Sequence, residues 1–226
     1  MFKKGTVVFL LCTLSILFTS CIPPAAEQKP AAYTVTDIEG TAVDFPAPPE
    51  RIVTLSMSTD EVMLGLVEPE RIAAVNGLLD DPVSSNVTGL VKAIPQRIGN
   101  PTAEELMALH PDLVIVPDWG DLTIVPSLRE VGLKVVVCKG ARNLAEIRET
   151  ITLLAAAAGV PERGEKLLSM MDEKLAGIQE KAAQIPQEER KRVVLISLMA
   201  GYGGLGSSFD EACHYAGVIN GRAELG

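Results

Sequence analysis

The sequence predicts an α/β protein: a mostly parallel, three-layer N-terminal lobe, a long spine helix, and the start of a second α/β lobe that the chain leaves incomplete. Three observations predict it. Four short apolar runs, Ile52–Leu55, Ile72–Val75, Leu113–Val116 and Val135–Val137, are continuous rather than alternating, as in strands covered on both faces. Helical stretches separate most of them, which makes an alternating β/α unit. After these comes Pro161–Ile185, which reads as one uninterrupted helix, and then a single further buried-looking strand, Arg192–Leu198.

Taken from the start, residues 1–20 read as an export signal. Lys3 and Lys4 form a positive end, and Thr6–Phe18 is an apolar core too short for a comfortable membrane span. The stretch Phe18-Thr19-Ser20-Cys21 resembles the bacterial lipoprotein cleavage box, with Phe18 where that pattern usually has Leu. The resemblance implies cleavage before Cys21 and a lipid on that cysteine; the alternative is an ordinary secreted protein with a chance cysteine. Residues 21–32, rich in Pro and Ala, read as a tether.

Residues 33–158 form the predicted first lobe. Tyr33–Asp37 and Thr41–Phe45 alternate around Glu39-Gly40, an edge-hairpin signature. Ser58 with Glu61 spells a capping box for a helix over Thr59–Leu66, and Thr102 with Glu105 spells one for Ala103–Leu109. Asn143 is placed to cap Leu144–Ala158. The connection Asn76–Asn100 is long and irregular, and such loops are often functional. Residues 159–186 are the spine: Pro161 suits the first helical position, Pro186 ends the helix, and Leu168, Met171, Leu175, Ile178, Ala182 and Ile185 make one apolar stripe. Residues 187–226 are the partial second lobe. One strand and one helix bury too little to be stable alone, so this segment is expected to be mobile or to pack loosely on the spine.

Composition excludes some functions. Removing Lys3 and Lys4 with the leader takes the formal charge from −9 to −11, a poor match to nucleic acid. Two histidines, His110 and His214, are too few for a three-histidine metal site. Of four cysteines, Cys12 leaves with the leader and Cys21 takes lipid. Cys138 and Cys213 remain, one on each side of the spine, and no structural disulfide is expected. No nucleophile–base pair or carboxylate dyad stands out, so the chain is not expected to be an enzyme.

Ligands of open α/β sheets gather at the carboxyl ends of strands. Three loops qualify. Ser56, Met57 and Ser58 follow the first buried strand at a helix N-terminus that could hold an anionic group; Met57 is equally a packing residue. Trp119, the only tryptophan, follows Leu113–Val116, and its flat ring could stack on a ligand or form a lid over the core. Tyr202 follows Arg192–Leu198 on the same argument. The stretch Gly201–Gly206 also spells G-x-G-x-x-G, the dinucleotide fingerprint, and so supports a rival reading as an NAD- or FAD-dependent oxidoreductase. A lipid-anchored surface protein with no small ligand is a third reading.

Arg51–Ser56 followed by a capped helix and then Arg71–Val75, Ile98–Leu106 running on through Leu109–Ile115, and Val193–Ile196 with Gly206–Glu211 together resemble ABC-transporter substrate-binding proteins for iron chelates, haem and vitamin B12. The resemblance covers about Tyr33 to Gly226. It implies two lobes around a cleft and little hinge motion. It implies no resident cofactor, a metal chelate as ligand, and delivery to a membrane permease and its ATPase. It places the protein outside the cytoplasm, held to the membrane through Cys21. It also implies that Glu104, in the first turn of a capped helix, docks on the permease, and that relatives continue with further strands.

Overall fold

The computed structural model describes residues 31–196 and 202–225. The leader, Cys21 and most of the tether lie outside the described residues, as do Ser197–Gly201. A hairpin comes first, β1 (Tyr33–Thr36) and β2 (Ala42–Phe45), antiparallel as predicted. Asp37 builds its turn. The carboxylate accepts from the Glu39 and Thr41 amides at 3.0 and 2.9 Å and from Arg129 at 2.6 Å. The turn then docks on the sheet, where Ile38 donates its N–H to the Val137 carbonyl at 3.2 Å. The hairpin thereby covers a strand edge that would otherwise offer free pairing groups.

That sheet has five parallel strands: β3 (Ile52–Thr54), β4 (Ile72–Asn76), β5 (Arg97–Ile98), β6 (Leu113–Pro117) and β7 (Val135–Cys138). Their order is β5-β4-β3-β6-β7. Four helices accompany it: α1 (Met57–Leu66), α2 (Ala103–Ala108), α3 (Ile124–Glu130) and α4 (Leu144–Ala157). Alternate strand residues feed two separate cores. Leu113 and Ile115 of β6 pack with Met63 and Leu66 of α1 and Leu154 of α4. Val114 and Val116 pack with Leu106 of α2 and Leu128 of α3. Burial on both faces is why the strands read as continuous apolar runs, and it makes the unit three layers thick.

The α2 capping box forms as read. Thr102 accepts the Glu105 amide at 3.2 Å, and Glu105 accepts the Thr102 amide at 2.8 Å. Asn143 caps α4 by accepting the Glu146 amide at 2.9 Å. The cap of α1 differs from expectation. Helix α1 begins two residues earlier than predicted, with Ser56, not Ser58, accepting the Thr59 amide at 3.2 Å. Ser56 has the extended backbone of a cap residue, and Ser58 is left free of that duty.

The long helix is α5 (Pro161–Ala182). It ends about a turn before the predicted Ile185. Gln184 and Ile185 bond back only three residues, to Lys181 and Ala182, and the residue before Pro186 is biased away from helix. Its contacts are with α4 and α1, then with α6 (Ser208–Ala216). The predicted stripe is only half-buried at Leu168, Met171 and Leu175, and Ile178 is exposed. Along the helix only Gly164 and Ala182 are buried. A Cβ on Gly164 would lie 2.5 Å from the Ala155 Cβ, so the α5 backbone rests directly on the Ala155 side chain of α4 there.

Beyond α5 the predicted strand Arg192–Leu198 shrinks to β8 (Arg192–Val193) among the described residues. It pairs in parallel with β9 (Ile219–Asn220), which has no signal in the sequence. A two-residue partner supports a two-residue strand, and Val194 and Ile196 remain 56% and 91% exposed. The segment is not unattached: the Glu211 carboxylate of α6 accepts the Leu144 amide at the start of α4. Cys138 and Cys213 are free, buried thiols, and burial pushes Cys138 up to about 12, which leaves it inert.

Candidate functional site

The chain builds β3, β4 and β5 outward in one direction, then returns to place β6 and β7 on the other side of β3. The reversal falls between β3 and β6, and the crevice outside the carboxyl ends of such a pair is where open α/β sheets hold ligands. Leu55 donates its N–H to Ile115 at 3.0 Å, so the loops that follow these two strands start side by side. The structure thus brings Ser56, Met57 and Ser58 to the same edge as Trp119.

Their surroundings differ. Ser56 is buried, its hydroxyl 2.7 Å from that of Thr59. Met57 is half-buried and packs on the core. Ser58 is exposed and lines a cavity of about 480 Å³ with Thr59, Lys139, Ile151, Met170 and Met171 among its walls. That volume falls within the range of small-molecule sites. Trp119 stands apart from this lining, 60% exposed. Its indole lies against Gly140 in the loop after β7, where any Cβ would overlap the ring. Asp118 accepts from Arg142 at 2.5 Å and donates its own N–H to Cys138 at 2.8 Å, which fixes the backbone that carries Trp119. The ring is a supported platform, not a lid sunk in the core.

Tyr202 is 53% exposed in the turn before α6, a helix that packs on α5 and whose Glu211 carboxylate accepts the Leu144 amide at the start of α4. Glu104 is exposed on α2, which follows β5 and so begins at the same end of the sheet. Among the described residues its carboxylate has no partner, whereas that of Glu105 is held in the capping box. Gly201 of the G-x-G-x-x-G stretch lies outside the described residues. The N-terminus of α6 is already occupied by an acid. Asp210 accepts the Gly206 amide at 2.8 Å, and this bond holds its carboxyl below the usual range. A pyrophosphate would meet that charge at the place where it needs free amides.

Asp60 was not singled out by the sequence reading. It is fully buried in the first turn of α1, accepts from the Thr54 hydroxyl at 2.5 Å and from the Asn76 amide at 2.8 Å, and burial raises it to about 7. The available signal was its spacing: Asp60, Met63 and Leu66 share the core-facing side of α1. Among the described residues there is no cluster of three or more histidine, cysteine or acidic side chains placed to hold a metal, and no helix is long and apolar enough to cross a membrane.

The family model described as Periplasmic binding protein matches residues 52–225. The chain belongs to that family. Among its relatives, an uncharacterized ABC transporter substrate-binding lipoprotein of Bacillus subtilis (YvrC) is 25% identical over 204 residues, covering 85% of this chain and 63% of the relative. A cobalamin-binding protein of Halobacterium salinarum is 24% identical over 192 residues, covering 76% of this chain and 51% of the other. Among solved structures, the haem-binding protein HmuT superposes with a TM-score of 0.68 at 22% identity, covering 89% of this chain and 66% of that one. This chain therefore spans between half and two thirds of the length of the curated relatives it matches. The parallel sheet with helices on both faces is the architecture that this periplasmic binding protein shares with its solved neighbours.

Proposed function

We propose that this periplasmic binding protein is the substrate-binding component of an ABC importer, a carrier rather than a catalyst, and that it takes a metal chelate of the iron-siderophore, haem or cobalamin type. The observation that carries the reading is the pairing, at one sheet edge, of the exposed Trp119 platform with the part-apolar cavity at Ser58. A broad aromatic ligand needs a flat ring to stack on and an apolar recess for its bulk. The names of the relatives point the same way. The division into a lobe at 33–158, a spine at 159–186 and part of a second lobe at 187–226 belongs to this reading, with Tyr202 approaching the ligand from the second part.

The test is a panel of haemin, cyanocobalamin, a ferric catecholate and NAD, each added to the purified protein while tryptophan emission and the melting temperature are followed. A chelate that binds should quench Trp119 and raise the melting temperature, while NAD should do neither. A rise with NAD alone would overturn the reading in favour of the oxidoreductase. If every chelate leaves both signals unchanged, the protein is not a chelate carrier of this kind.

The partners proposed are a permease and its ATPase, met through Glu104. Its exposure and lack of a partner among the described residues leave the carboxylate available for a basic surface. Glu104→Ala should leave chelate affinity unchanged and lower uptake by cells several-fold; unchanged uptake removes Glu104 from the docking surface. The site of action proposed is outside the cytoplasm, with Cys21 lipid-anchored. Cys21→Ala should then move the protein from the membrane fraction to the soluble one, and retention at the membrane would place the anchor elsewhere.

A further inference from the structure

Asp60 stands at the buried end of a row of hydroxyls that finishes at the cavity. Its carboxylate meets the Thr54 hydroxyl at 2.5 Å, and that hydroxyl also lies 3.4 Å from the Ser56 carbonyl. The same carbonyl already accepts the Thr59 hydroxyl at 3.0 Å and the Asp60 amide at 3.0 Å. Because the Thr59 proton is committed there, the 2.7 Å contact between Thr59 and Ser56 takes its proton from Ser56. The Ser56 oxygen is then left as an acceptor, for the Thr59 amide at 3.2 Å and for the Ser58 hydroxyl at 3.2 Å. Ser58 thus turns its proton inward and presents lone pairs to the cavity it lines. The polarity of the whole row follows from its bonds.

We propose that Asp60 is a positioning residue that acts through this row, so that gain or loss of its proton resets the α1 N-terminus forming one wall of the cavity. Ionised, Asp60 accepts the Thr54 proton. When it takes a proton from solvent, its own O–H donates to the Thr54 oxygen, and the Thr54 proton turns to the Ser56 carbonyl, which now carries three donors. The second oxygen keeps the Asn76 amide in both states, so the end of β4 stays tied to α1 throughout. The charged groups around this end are Glu61 on α1, which opposes ionisation, and Arg97 on β5, which favours it and is itself held by Asp80 at 2.7 Å. Lys139 and Lys174 line the cavity. Burial raises Asp60 to about 7, which places the change near neutrality. The inference concerns the chain's own residues and stands whichever ligand the cavity takes.

An NMR titration of the whole chain without ligand, from about pH 5 to about pH 9, tests it. The Asn76 and Ser58 amide resonances should move together with one midpoint near neutrality. Asp60→Asn reproduces the protonated pattern, since its amide N–H₂ donates to Thr54 and its carbonyl accepts from Asn76. Both resonances should then hold their low-pH positions. Glu61→Gln should leave the titration in place. Thr54→Val, which cuts the row and leaves Asp60 intact, should keep the Asn76 titration and abolish that of Ser58; it serves equally if Asp60→Asn does not fold. Three results would each overturn the proposal: a Ser58 shift that survives in Asp60→Asn, Asn76 titrating alone in the wild type, or neither amide titrating.

Discussion

Asp60→Asn should abolish a loss of stability that the wild-type protein suffers between about pH 4 and about pH 7. The native carboxyl is raised from 3.8 to about 7, chiefly by burial. Across that window the folded chain holds a proton that the unfolded chain has released, so the free energy of unfolding falls as pH rises. The stabilising contribution is whole below the unfolded value and gone once pH has passed through the folded one. A shift of this size corresponds to roughly 2–4 kcal/mol after allowance for local relaxation. Surface carboxylates such as Asp80 and Asp121, held low by their partners, act in the opposite direction, but they act equally in both proteins. Urea unfolding at the two ends of the window isolates Asp60 as the difference between wild type and variant. Parallel curves would mean that Asp60 is not titrating there.

Gly164→Leu should lower stability by about 3 kcal/mol, the upper part of the usual range for overpacking. The Cβ alone would sit 2.5 Å from the Ala155 Cβ, and Leu adds three more carbons where the α5 backbone already rests on that side chain. Gly164→Ala should cost less, because Ala gains about 1 kcal/mol of helix propensity over Gly and so offsets part of the clash. Ala155→Gly should restore part of what Gly164→Ala loses, and the double-mutant cycle reads their coupling directly. Loss of a purely local kind, with no coupling to Ala155, would show that α5 is held elsewhere along its length.

What could be read in advance depended on whether a feature is built from side chains or from pairing. The runs at Ile52, Ile72, Leu113 and Val135 were legible because burial on both faces leaves no choice but apolar residues. Strands β5 and β9 were not, since two residues such as Arg97–Ile98 become a strand only by having a neighbour to bond. The first turn of α1 offers two serines, and the motif rule chose Ser58 on the strength of Glu61. The structure chose Ser56, whose hydroxyl also meets Thr59 in the interior, a contact that no local pattern encodes. Asp60 was hidden for a related reason: an acid in a first turn looks like an ordinary dipole partner until the sheet is laid behind it. At the site, strand ends pointed to Ser56–Ser58 and Trp119. The support of Trp119 by Gly140 depends on two loops that are neighbours only after β6 and β7 pair.

The two buried positions of α5, Gly164 and Ala182, are eighteen residues apart. Eighteen residues are five complete turns, so both lie at the same azimuth, about 27 Å apart along one line. The helix therefore behaves as a shaft keyed at both ends, with its rotational phase set by its length. Losing one residue between the keys would swing α6 about 100° around the shaft and pull Glu211 away from the start of α4. Losing seven would leave it only about 20° out of phase but about 10 Å short, so restoring the phase alone would not rejoin the ends. Substitutions at exposed positions between the keys, such as Lys166 and Glu173, are tolerated by this geometry, while a single insertion or deletion there should disconnect the two ends without touching a residue of either.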